Sequence, residues 1–128
     1  DEYLERRRLI AGIYAEDFSQ NKLVTTFSPS NDSYPSFWKY PILLHENIDR
    51  ETVLTALHNE RIFADLTYQP ALHLQPVFQV LLDTSAGNLP NSENMMKKHI
   101  CLPCHQNMTI EDARFVSQTL ISFLKENY

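Results

Sequence analysis

The sequence predicts an α+β domain: a small, largely antiparallel sheet flanked by helices. Three observations predict it. The two ends of the chain carry apolar residues at helical spacing, at least three short β-prone runs lie between them, and seven prolines argue against a plain helical bundle. A length of 128 residues, with 43% hydrophobic and 21% charged residues, is that of one globular domain spanning residues 1–128.

Residues 1–20 read as a helix, because Leu4, Ile10, Ile13, Tyr14 and Phe18 recur near helical spacing with Glu and Arg opposite. Arg6, Arg7 and Arg8 read as a solvated face beside Asp1, Glu2 and Glu5. Residues 23–27 are short and β-prone, and 28–36 (SPSNDSYPS) form a loop of prolines and turn formers. Residues 37–44 (FWKYPILL) are a strand, and Pro41 places it at an edge or a bulge. Asp49 caps a helix that buries Val53, Leu54 and Leu57. Residues 62–66 (IFADL) are the next strand, and 68–76 (YQPALHLQP) are too polar and proline-broken for simple core. Residues 77–82 (VFQVLL) suit a helical turn or a strand. A loop over 87–90 precedes a short helix capped by Ser92 and running to about His99. Residues 100–102 form a short buried strand ended by Pro103. Thr109 to Asp112 then has the form of a capping box with Asp in the usual Glu position, and Ile110, Ala113, Val116, Leu120, Phe123 and Leu124 line the last helix.

A net charge of −5 argues against a general nucleic-acid binder, and no apolar run approaches the roughly 20 residues of a membrane helix. The chain opens at Asp1 without an initiator Met, which suggests a processed, trimmed or fragmentary product. Gly12 and Gly87, the two glycines, supply neither a P-loop nor a dinucleotide fingerprint. Two cysteines are too few for a disulfide scaffold, but Cys101-Leu102-Pro103-Cys104-His105 fits the C-x-x-C-H of c-type haem attachment, with Met95, Met96 or Met108 as a second ligand. The strand-like surroundings and Pro103 weigh against it. A zinc set of His99, Cys101, Cys104 and His105 is too crowded in sequence, and a redox C-x-x-C needs a helix N-terminus. In an extended segment the two Cα atoms would lie about 10 Å apart, beyond disulfide reach. Two ordinary buried or half-buried thiols are the favoured reading. Of the histidines, His58 reads as exposed on a helix. His73 sits in an irregular segment with Tyr68 and Gln75, the setting in which binding residues concentrate.

The order of segments resembles the C-terminal domain of the DegT/StrS family of pyridoxal-phosphate (PLP)-dependent nucleotide-sugar aminotransferases. Arg6–Arg8 with Ile10, Ala11 and Tyr14 resembles that family's opening helix, and Trp38-Lys39-Tyr40-Pro41-Ile42 its aromatic strand. Ile48-Asp49-Arg50-Glu51 through Leu54, Leu57 and Ile62 resembles the "idRd…L…L…gI" unit. Tyr68 to Pro76 is similar to Y-x-x-P-L-H-x-Q-P, the most specific stretch. Gly87-Asn88-Leu89-Pro90 resembles "gdfP", and Ile100-Cys101-Leu102-Pro103 followed by Met108-Thr109 resembles "LsLPl…lt". Thr67, Ala71 and the region of Arg61 depart from the pattern; at the last, a helix-ending glycine is replaced.

The resemblance implies the small domain of a fold-type I aminotransferase. PLP would then be held by a separate N-terminal domain carrying the Schiff-base lysine, since Lys22, Lys39, Lys97, Lys98 and Lys125 do not lie in that motif. It also implies substrate contacts from Tyr68 and His73, a loop-holding role for Gln75, no catalytic, cofactor or metal ligand in this chain, a cytoplasmic homodimer, and amino transfer from glutamate to a keto-sugar nucleotide. A stand-alone binding or assembly module of the same fold is the alternative, and a c-type cytochrome the more distant one.

Overall fold

The structure, a computed structural model, describes residues 1–30 and 32–128. Helix α1 (Glu2–Phe18) starts where the Asp1 carboxylate accepts the Tyr3 N–H at 3.1 Å, and it buries Ile10, Ala11, Ile13, Tyr14 and Phe18. Leu4 stays half-buried. The arginine run is not wholly solvated. Arg8 pairs with Glu5, donates to the carbonyls of Pro35 (3.2 Å) and Tyr34 (3.4 Å), and lies 3.8 Å from the Tyr34 ring centroid. It thereby ties the loop at 28–36 to α1; Asn31, within that loop, lies outside the described residues.

Strands β1 (Val24–Thr26), β2 (Tyr40–Leu44) and β3 (His99–Leu102) make an antiparallel sheet in the order β1-β2-β3. The strand expected over 37–44 begins only at Tyr40, because Phe37 takes a left-handed φ of 44°. Pro41 lies neither at an edge nor in a bulge but in the central strand, opposite Cys101. Its missing N–H costs no ladder bond. Cys101 exchanges both backbone bonds with Asp65 on its far side, so Pro41 and Cys101 form a non-hydrogen-bonded pair, and the proline nitrogen faces the space beyond Thr26 where β1 has ended.

The strand expected over 62–66 is reduced to the single bridge Asp65–Cys101. Burial still alternates there, with Ile62 and Ala64 inside and Phe63 and Asp65 outside, but β3 is too short to pair further. Helix α2 (Arg50–Asn59) is capped by Asp49, whose carboxylate accepts the Thr52 N–H at 3.0 Å, and it buries Val53, Leu54 and Leu57. Its end is formed by Arg61 at a φ of 60°, the position where the sequence lacks the expected glycine.

Helix α5 (Ile110–Asn127) opens with a complete capping box between Thr109 and Asp112. Ala113, Val116, Ser117, Leu120 and Leu124 are its buried positions; Ile110 is exposed and Phe123 only partly covered, unlike the stripe expected. The helical neighbours of α5 are α1 and α2, and Phe123 still packs against the core from its margin. The core fills the space between these three helices and the inner face of the sheet, where Tyr40, Ile42, Ile100 and Leu102 lie. The other face carries Pro41, Leu43, His99 and Cys101, which border a recess together with Tyr68, Met95 and Met96.

Candidate functional site

From the Asp65 bridge the chain crosses two cis peptide bonds, Thr67–Tyr68 and Gln69–Pro70, into a lobe outside the core. The lobe holds a 3-10 turn (Leu72–Leu74), helix α3 (Pro76–Leu82) and helix α4 (Pro90–Lys98). The stretch at 77–82, which suited a helix or a strand, is helical: Pro76 at its first position fixes φ for a helix and lacks only an N–H that would be unsatisfied anyway. Its ambiguity has a cause, since α3 has no buried residue and hence no patterned face. Helix α4 is capped at Leu89 and not at Ser92; Pro90 again takes the first position. The carbonyl of Met96, near its other end, receives Arg50 Nη1 (2.6 Å), Gln69 Nε2 (2.9 Å) and His99 Nδ1 (3.3 Å), which anchors the lobe to α2 and the sheet.

A cavity of about 680 Å³ opens in this lobe, with Tyr68, Leu72, His73, Phe78, Leu82 and Met96 among its walls. Tyr68 and His73 are thus brought to one recess. They differ in exposure: Tyr68 is 67% accessible, His73 only 8%. Gln75 donates from Nε2 to the Pro70 carbonyl at 3.0 Å and so closes the loop on itself. Thr84 Oγ1 donates to the His73 carbonyl at 2.6 Å.

The residue that sequence reasoning missed is Glu93. Its Oε1 lies 3.0 Å from His73 Nε2 and accepts the N–H groups of Gly87 (2.8 Å) and Leu89 (3.3 Å). Those bonds, led by the one to the imidazole and followed by the Gly87 amide, hold its carboxyl below the usual carboxylate range. Gly87, at a φ of 92°, makes the turn that aims its amide at this oxygen. An acidic residue in the first turn after a proline was the available signal, but it identifies a helix start and not a histidine partner.

The C-x-x-C-H stretch runs along β3 and the turn beyond it. Both thiols are free and buried. Cys104 Sγ points at the Arg7 carbonyl at 3.5 Å, and burial pushes its pKa up to about 11; burial likewise raises Cys101. Protonated, covered thiols are poor nucleophiles and poor metal ligands. His99 lies on the outer sheet face while His105 is exposed, and among the described residues no three His, Cys, Asp or Glu side chains gather to hold a metal. His58, exposed as expected, still meets the Ala64 carbonyl through Nε2 at 3.0 Å.

The cavity beside Tyr68 and His73 has no lysine or arginine in its walls. Lys39, which borders the neighbouring recesses, is paired with Asp65, and Lys98 with Glu46. These residues do not fit PLP: there is no amine for a Schiff base beside cationic groups for its phosphate.

The architecture is that of the small α+β domain of fold-type I sugar aminotransferases. The chain belongs to the DegT/DnrJ/EryC1/StrS aminotransferase family, whose model matches residues 1–121. It is similar to the UDP-4-amino-4,6-dideoxy-N-acetyl-beta-L-altrosamine transaminase of Campylobacter jejuni, at 30% identity over 98% of this chain and 33% of that protein. It is also similar to the protein of that name from Helicobacter pylori, at 28% identity over 92% of this chain and 31% of the other. Among solved structures, Helicobacter pylori PseC, described as an aminotransferase involved in the biosynthesis of pseudoaminic acid, superposes with a TM-score of 0.82. That match covers 97% of this chain and 33% of the other, at 24% identity. The chain therefore spans about a third of the length of the relatives it matches, in their C-terminal portion.

Proposed function

We propose that residues 1–128 form one domain, the C-terminal small domain of a PLP-dependent nucleotide-sugar aminotransferase, which closes one side of the substrate cleft. The observation that carries this reading is the lobe cavity that gathers Tyr68 and His73 on a chain of this family. PLP, when bound, supplies the electron sink for moving an amino group between glutamate and a keto-sugar nucleotide. Its anchoring lysine belongs to an N-terminal domain of the same polypeptide. This chain's own contribution is binding. The exposed Tyr68 phenol donates to a phosphate oxygen, or exchanges a hydrogen bond in either direction with a sugar hydroxyl. His73, with Nε2 taken by Glu93, offers Nδ1. The apolar walls exclude water around the bound sugar. The assembled enzyme is a cytoplasmic homodimer in this reading, and the described residues contain no helix long and apolar enough to cross a membrane.

The test is the intact mass of the native polypeptide in its source cell. A product about three times this length is expected, since the relatives are matched over 33% of theirs. A product of 14.9 kDa would remove the enzyme reading and leave a free-standing module. In the long product, Tyr68→Phe and His73→Asn should each raise KM for the nucleotide sugar about tenfold, the worth of one hydrogen bond. Unchanged steady-state kinetics in both would sink the assignment of these residues.

A further inference from the structure

We infer that Glu93 is the positioning residue of the lobe cavity: it fixes His73 as the Nε2–H tautomer, so that Nδ1 meets the substrate as a hydrogen-bond acceptor for a sugar hydroxyl. The inference deepens the reading given above and rests on it for the identity of the ligand.

The chemistry follows from which groups can donate. The oxygen Oε1 of Glu93 accepts two backbone N–H groups, from Gly87 at 2.8 Å and Leu89 at 3.3 Å. Backbone amides only donate, so this oxygen is an acceptor and carries no proton. His73 Nε2 lies 3.0 Å from the same oxygen, and the proton of that bond must therefore sit on the ring nitrogen. In a neutral imidazole the second nitrogen is then bare. Nδ1 is the one ring nitrogen left to a ligand in the cavity that His73 lines.

Geometry makes the arrangement rigid. The His73 side chain is 7% exposed and that of Glu93 16%, so water competes poorly for the pair. The His73 backbone is held from the other side by the Thr84 hydroxyl at 2.6 Å. Glu93 thus joins three separate segments through one atom: the 3-10 turn, the turn at Gly87 to Leu89, and the first turn of α4. A bare Nδ1 discriminates. It accepts from a hydroxyl that can donate, and it is repelled by a phosphate oxygen that cannot, so His73 reads the sugar ring and leaves the phosphates to other groups.

The tautomer is measured directly by long-range 15N–1H correlation on the native polypeptide labelled at histidine nitrogens, at a pH where the ring is neutral. His73 is assigned by its loss in His73→Asn. The expected spectrum has a protonated Nε2 and an unprotonated Nδ1; a protonated Nδ1, or averaged signals from both tautomers, would overturn the inference. This measurement needs no turnover and no ligand. Glu93→Ala, which removes the acceptor oxygen, should then average the two nitrogen signals and raise KM for the nucleotide sugar about tenfold with kcat little changed, whereas Glu93→Gln, which keeps a carbonyl acceptor, should retain the protonated Nε2. A fixed tautomer in the wild type with an unaltered KM in Glu93→Ala would overturn the substrate role of His73. If Tyr68→Phe were also without effect, the failure would lie with the functional reading of the cavity, not with the Glu93 bond.

Discussion

At the scale of single residues, Arg61 and Cys104 show how far a local rule carries. A glycine is favoured where a helix turns left-handed, and its absence was readable from the sequence; that Arg61 itself adopts the strained conformation, at a φ of 60°, was not. An L-residue there costs about 1–2 kcal/mol, partly offset by its smaller freedom in the unfolded chain. Arg61→Gly should therefore raise stability by about 0.5–1 kcal/mol, read from the urea midpoint at unchanged m-value. Both cysteines are buried, in line with the favoured reading, but their protonation depends on burial that no spacing reveals. Cys104 is raised from 9.0 to about 11 by burial. A raised folded-state value means that its stabilisation is complete below 9 and is lost as pH climbs through about 11. Tyr40, pushed up to about 12, extends the same decline. Alkaline titration of stability should fall across this window, and Cys104→Ala should remove its earliest part.

At the scale of elements, the helices were legible wherever a cap and an apolar stripe coincided, as at Asp49 and Thr109. Thr109→Ala should cost about 1 kcal/mol of stability by denaturant titration. Asp112, held below its ordinary 3.8 by the Thr109 amide and hydroxyl, contributes stability that is present above that value and lost as pH falls through the lowered one. Asp112→Asn should flatten that acid limb. Strands were harder. The alternation in 62–66 is real, yet a strand exists only if a neighbour is long enough to pair with it, and β3 has one residue to spare for Asp65. Pro41 misled for the related reason that its tolerance depends on where β1 stops, which is a property of another segment. Helix α3 has no core signature, since none of its residues is fully buried and its Phe78 and Leu82 face the cavity instead.

At the scale of the whole molecule, the ends of the chain are bound together. Arg114 of α5 pairs with Asp17 and with Glu16 (2.6 Å) of α1, the buried Ser117 hydroxyl donates to Asp17, and Tyr14 donates to the Pro103 carbonyl at 2.8 Å. These bonds are not equal. Tyr14 is fully covered, so Tyr14→Phe leaves a carbonyl unpaired and should cost about 1–2 kcal/mol, whereas Arg114→Ala, at a partly exposed and salt-screened pair, should cost less than about 1 kcal/mol. Denaturant midpoints at low and high salt separate the two. The candidate site was half legible at this scale: Tyr68 and His73 stand in one recognisable stretch, while Glu93 lies 20 residues from its histidine and is joined to it only by the fold. The clasp between α1 and α5 also has a consequence for biosynthesis. Asp17 and Arg114 are 97 positions apart, so on the ribosome the part of α1 that packs on α5 stays uncovered until α5 has cleared the exit tunnel, although Tyr40 can reach Tyr14 earlier. The clasp is therefore the last contact of α1 to form during synthesis, and a product that stops short of α5 leaves Asp17 without Arg114 and Ser117.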